Sequence, residues 1–165
     1  MKAPKRSSRS SREDWMPLGV RFLARRDRTV VQVERYLLSK GASPLQVRQI
    51  VRRLSDLSYL NDHAYAQRWI GNRLASRPMG RERLKAELQA KGIAETLADR
   101  VIADAFREAD EEAVAHRALQ TAQRHGRRLT RSQTMRLLRQ RGFSEETIDR
   151  MIGQSRINEE PVYEE

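Results

Sequence analysis

Arginine gives this sequence its widest scope for chemistry. Of its 33 basic side chains 28 are arginine, set against 22 carboxylates, and the formal net charge is +11. A guanidinium stays charged at any working pH, and its planar fork of donors meets phosphate or carboxylate two bonds at a time. That chemistry grips polyanions; it does not turn over a substrate. The candidate contact residues are Arg48, Arg52 and Arg53; Arg73, Arg77, Arg81, Arg83 and Lys85; and Arg127, Arg128 and Arg131. Arg25, Arg26 and Arg28 form a further cluster. Any one cluster also reads as a solvated helix face with intrahelical ion pairs. Recurrence along the chain favours binding, with nucleic acid or an acidic protein groove as suitable partners.

Catalytic constellations are missing from the sequence. It holds no GxxxxGK[ST] phosphate loop, no GxSxG nucleophile turn and no HExxH or paired-histidine spacing. His63, His116 and His125 are scattered, and the acid pairs Glu111 with Glu112 and Glu145 with Glu146 are sequence neighbours whose side chains diverge on a helix. They read as charges favouring a helix start. Cysteine is absent, which excludes disulfides, thiolate metal sites and cysteine nucleophiles. No enzyme activity, metal, cofactor or small-molecule substrate is expected. Tyr65 and Trp69, four apart with Arg68 and Arg73 nearby, have the spacing of a base-stacking platform, but equally of an ordinary core stripe. Packing is the expected role there and for Phe22 and Tyr36. Trp15 is expected before the first helix, where it has room to be exposed.

The elements that carry these residues follow from an internal repeat. VERYLLSKGASPLQVRQIV, LKAELQAKGIAETLADRVI and TMRLLRQRGFSEETIDRMI align on Gly41, Gly92 and Gly142, which lie 51 and 50 residues apart. Leu37, Leu88 and Leu138 stand four places before each glycine, with Lys40, Lys91 or Arg141 immediately before it. Ile50 with Val51, Val101 with Ile102 and Met151 with Ile152 follow at the same offsets. Glycine takes the left-handed conformation just past a helix without steric cost, so each glycine ends one helix and the next begins two residues on. Ser43 with Pro44 and Gln46 predicts a capped start in the first repeat, and Ser144 one in the third. In the second, Ala94 holds the cap position and predicts a frayed start. Thr29 with Gln32, Gly80 with no partner, and Thr130 with Gln133 mark the starts of the preceding helices. A further helix precedes each, at roughly 18–26, 62–76 and 107–125, the last stopped by Gly126.

The expected fold is therefore all-α: three tandem three-helix repeats of about 50 residues forming an elongated, curved rod. The expected boundaries are a basic disordered arm at 1–16, repeats at 17–60, 61–106 and 107–153, and an acidic tail at 154–165. Every repeat is net positive, so the charge belongs to the folded part. Hydrophobic residues at 38% argue against one thick core. No apolar run approaches the roughly 20 residues of a membrane span. A cytoplasmic monomer with no membrane partner is expected.

With these residues on the page, the sequence resembles the RecX family of recombination regulators. RFLARRDRT followed by YLLSKG, LNDHAYAQRWIGNRL with MGRERLKAELQAKGI, and LLRQRGFSEETIDRMI carry the resemblance, over roughly residues 18–153. It departs where Asn61 and Asp62 replace a common acidic pair, and in a short stretch from Gly126 to Ser132. The resemblance implies repeats that lie in the groove of the RecA recombinase filament on single-stranded DNA. There they would restrain ATP hydrolysis and strand exchange without catalysis, and some members bind DNA directly, with duplex DNA as a further partner. By position it favours Arg73, Arg77, Arg81, Arg83 and Lys85 as contacts, and Leu60, Tyr65, Leu84, Leu88 and Ile93 as packing. The alternative is a general DNA-binding helix-turn-helix repeat protein that acts on phosphates without a recombinase.

Overall fold

The computed structural model describes residues 14–123 and 129–157, with side chains to 153. All regular elements among the described residues are helices, and the chain divides into two compact units between Asn61 and Asp62. The first unit holds α1 (Trp15–Leu23), α2 (Val30–Ser39) and α3 (Pro44–Asp56). The second holds α4 (Asp62–Ser76), α5 (Arg81–Ala90), α6 (Glu95–Glu108), α7 (Glu111–Gln123), α8 (Arg131–Gln140) and α9 (Glu145–Ile157). No helix is long and apolar enough to cross a membrane among the described residues.

The repeat glycines close three copies of one turn. Gly41, Gly92 and Gly142 have φ of 101°, 87° and 74°. Each donates its N–H to the carbonyl three residues back, and the following residue donates to the leucine carbonyl: Ala42 to Leu37 at 3.1 Å, Ile93 to Leu88 at 3.1 Å, Phe143 to Leu138 at 3.2 Å. This is the Schellman pattern, with an apolar contact between its first and last residues. It explains why leucine stands four places before each glycine: those three leucines are fully buried, as are Ala42, Ile93 and Phe143 nearly so. The capping boxes at Thr29 with Gln32, Ser43 with Gln46 and Thr130 with Gln133 are all present, while Gly80 and Ala94 supply no side-chain cap bond. At α9 the hydroxyl of Ser144 accepts from the Thr147 N–H at 3.2 Å.

In the first unit Val33, Leu37, Val47, Val51, Leu54 and Leu60 form the core. Trp15 corrects an expectation: it is the first residue of α1 and 9% exposed, inside this core. The helix starts earlier than expected because the Asp14 carboxylate accepts from the Met16 N–H, and Pro17 sits in the first turn, where its missing donor costs nothing. Gly19 lets α3 approach, since a Cβ there would lie 3.1 Å from Leu54 Cδ1.

The second unit has one core running from Ala66 on α4 to Ile152 on α9. α6 extends through Glu108, past the expected break at 107, because a new helix start needs the acidic run Asp110, Glu111 and Glu112. The expected stop at Gly126 and His125 lies outside the described residues. Two glycines also meet here: the Gly80 N–H donates to the Arg141 carbonyl at 2.8 Å and the Glu82 N–H to Gly142 at 3.2 Å. A Cβ on Gly80 would collide with the Gly142 carbonyl, and one on Gly142 with the Arg83 backbone.

Candidate functional site

Three buried positions of α3, Val47, Val51 and Leu54, turn its other side to solvent. With 3.6 residues per turn, Leu45, Arg48 and Arg52 fall on that outer stripe, with Arg53 beside it. All four side chains are exposed, and Arg48, Arg52 and Arg53 form no ion pair among the described residues. Nearby on α1 and α2 the rings of Phe22 and Tyr36 stack at 3.9 Å and 5°, with Arg28 4.3 Å above Phe22 and Lys40 5.6 Å from Tyr36. Both rings are half-buried against the core of the first unit, in keeping with a packing role.

The central cluster is differently placed. Glu87 receives both Arg73 at 3.1 Å and Arg83 at 3.0 Å. Arg81 reaches Glu111 at 3.9 Å and lies 4.4 Å from the Phe106 ring. Lys85 is paired with Glu95 at 2.8 Å and Asp99 at 2.9 Å, and these hydrogen bonds, Glu95 first, hold its ammonium well above the ordinary lysine range. Only Arg77 of the five is exposed and without a carboxylate among the described residues. The intrahelical pairing weighed in the sequence is thus one part of a wider network, since Arg81 to Glu111 and Lys85 to Asp99 join different helices. Trp69 is half-buried, packed on the second core, and flanked by Arg73 at 5.1 Å and Lys91 at 5.4 Å, with Tyr65 half-buried beside the same core.

In the third repeat Arg131 is exposed in the first turn of α8, and Arg127 and Arg128 lie outside the described residues. Arg141 is not among the sequence candidates, where it stands only as the basic residue before a repeat glycine. Its Nη1 donates to the carbonyls of Pro78 at 3.2 Å and Ala118 at 3.3 Å. Burial, and then the neighbouring charge of Arg77, push its pKa down. The acid pairs are structural staples: Glu111 accepts from Ser144 and Thr147 at 3.2 and 3.1 Å, while Glu112 pairs with Arg150 at 2.5 Å, both tying α7 to α9. Among the described residues no three His, Asp or Glu side chains group to hold a metal.

Known proteins share this architecture. Residues 61–102 match the family domain described as "RecX, second three-helix domain". "Regulatory protein RecX" of Pelodictyon phaeoclathratiforme is 34% identical over 62% of this chain and 62% of its own length, so the match spans somewhat under two thirds of that relative. "Regulatory protein RecX" of Treponema pallidum subsp. pallidum is 32% identical over 82% of this chain and 81% of that protein. The chain belongs to the RecX family. The crystal structure of RecX from Lactobacillus salivarius superposes with a TM-score of 0.75, covering 86% of this chain and 94% of that one at 21% identity, and shares the fold. The matched RecX second domain comprises α4, α5 and most of α6, and so contains Arg73, Arg77, Arg81, Arg83 and Lys85. The RecX relatives are named as regulatory proteins, not as enzymes.

Proposed function

We propose that this RecX-family protein binds the RecA recombinase filament on single-stranded DNA and restrains its ATP hydrolysis and strand exchange. The observation that carries this reading is family membership over most of the chain, at 32% identity to a regulatory relative. The recurring turn adds a physical reason. Three similar helix-turn-helix pairs, each bearing arginines, suit a partner whose own surface repeats, because linked weak contacts multiply in affinity. The contact residues are drawn from Arg48, Arg52, Arg53, Arg73, Arg77, Arg81, Arg83, Lys85, Arg127, Arg128 and Arg131. No cofactor and no catalytic residue take part. The test is co-sedimentation with recombinase filaments assembled on single-stranded DNA. Retention in the pellet that requires the recombinase supports the reading; absence from the pellet at saturating protein rejects it.

A second reading has its own observation. The unpaired Arg48, Arg52 and Arg53 on the second helix of a helix-turn-helix pair suit direct phosphate contact by a DNA-binding protein that needs no recombinase. Tight binding to bare duplex, weakening steeply with salt, would favour it.

A further inference from the structure

The residue before each repeat glycine behaves differently in the third copy. In the first two, Lys40 and Lys91 sit over aromatic rings, Tyr36 at 5.6 Å and Trp69 at 5.4 Å. In the third, Arg141 points its Nη1 at the carbonyls of Pro78 and Ala118, and its Nε and Nη2 meet no acceptor among the described residues. Beside it is a cleft of about 90 Å³, walled by Arg77, Arg83, Arg141, Gln140, Glu87 and Pro78. Three arginines line it from three places: the chain after α4, the first turn of α5, and the turn between α8 and α9.

The cleft is held by backbone. Gly80 donates to the Arg141 carbonyl and Glu82 to the Gly142 carbonyl, and neither glycine tolerates a Cβ. Arg77 and Arg141 are thus kept close enough to repel each other, and of the three cations only Arg83 has a carboxylate, Glu87, among the described residues. Like charges fixed together on a rigid frame cost free energy that a bound anion recovers.

We propose that the Arg77, Arg83 and Arg141 cleft is a binding site for a single phosphate group. Elsewhere in this molecule a carboxylate is satisfied by one or two cations, as Glu145 is by Nε and Nη2 of Arg139 at 2.8 and 2.7 Å. A carboxylate accepts in one plane. Three arginines carried on separate segments suit a tetrahedral oxyanion, whose oxygens accept all round. Its source is either the backbone of a single-stranded nucleic acid or inorganic phosphate.

The test uses the full chain and no recombinase, so its outcome is separate from that of the filament reading. Binding of a fluorescent oligothymidylate is followed by anisotropy across a salt series, and arginine Nε–H resonances are followed during titration with inorganic phosphate. Arg77→Gln is the primary variant, since Arg77 is exposed and its loss leaves the core intact; Arg83→Gln is the second. If the nucleic acid backbone fills the cleft, Arg77→Gln weakens oligothymidylate binding several-fold and lowers the slope of log K against log salt by about 0.7. An oligothymidylate with neutral methylphosphonate links then binds the native chain and Arg77→Gln equally weakly. If inorganic phosphate is the ligand, it shifts the Nε–H resonances of the native chain and not of the variants, while the oligonucleotide slope stays put. Native behaviour of both variants in both arms overturns the site. So do Nε–H resonances that ignore phosphate yet shift on titration with an acidic peptide, which would make the cleft a carboxylate receptor.

Discussion

Two glycines with helical neighbours call for opposite outcomes. Gly80→Ala drives a methyl into the Gly142 carbonyl, which belongs to a fixed turn, and should destabilise the second unit by about 1 to 3 kcal/mol in urea unfolding. Gly71→Ala, in the middle of α4 with nothing within 4 Å of its Cβ position, should stabilise by about 0.5 to 1 kcal/mol. Local spacing does not tell them apart: Gly80 reads as a cap position with no partner, and the glycine it meets lies 62 positions away. Leu88, by contrast, was legible from its register. It is fully buried, so Leu88→Ala should cost about 2 to 5 kcal/mol in the same assay. The Arg139 guanidinium holds the Glu145 carboxylate below its usual range. A depressed carboxylate adds stability above its unfolded pKa and loses it as pH falls through the folded value. Because the pair is exposed, the effect on unfolding is slight, but Arg139→Gln should raise the Glu145 titration midpoint in NMR.

Turns and caps were the most legible part of the elements, because each rests on local chemistry: a glycine with positive φ, or a Ser or Thr with Gln three residues on. A fourth turn of the same kind was hidden. Ser58 has a φ of 60° at the end of α3, and the Tyr59 N–H donates to the Leu54 carbonyl at 2.8 Å. Serine carries no signal for that conformation, so this turn is not legible from residue type or spacing. The left-handed region costs a side-chain-bearing residue about 1 to 2 kcal/mol. Ser58→Gly should therefore raise the unfolding free energy by about 1 kcal/mol, as read by thermal or urea denaturation. The start of α1 was missed for a related reason: its cap is Asp14, an ordinary surface residue until Trp15 behind it is seen to be buried. α6 overran its expected end because hydrophobic spacing continues to Phe106 and only the following acidic run restarts a helix.

Across the whole molecule, the excess of arginine was plain from composition, but its division was not. Which guanidiniums are neutralised depends on carboxylates brought in from other helices, as Glu111 is to Arg81 and Asp99 to Lys85. The first unit keeps Arg48, Arg52 and Arg53 open, whereas the central cluster is largely paired. Changing Arg77, Arg81 and Lys85 together to alanine should weaken filament binding and keep the helicity, with a modest fall in melting temperature because the half-buried Arg81 and Lys85 join helices. Unaltered binding would remove these three from the contact surface.

The most direct measurement is the rate of ATP hydrolysis by RecA filaments on single-stranded DNA as this protein is added. Hydrolysis that slows at fewer than one protein per recombinase subunit is the expected result. An unchanged rate at several-fold excess, with the protein folded, would contradict the proposed role in filament control.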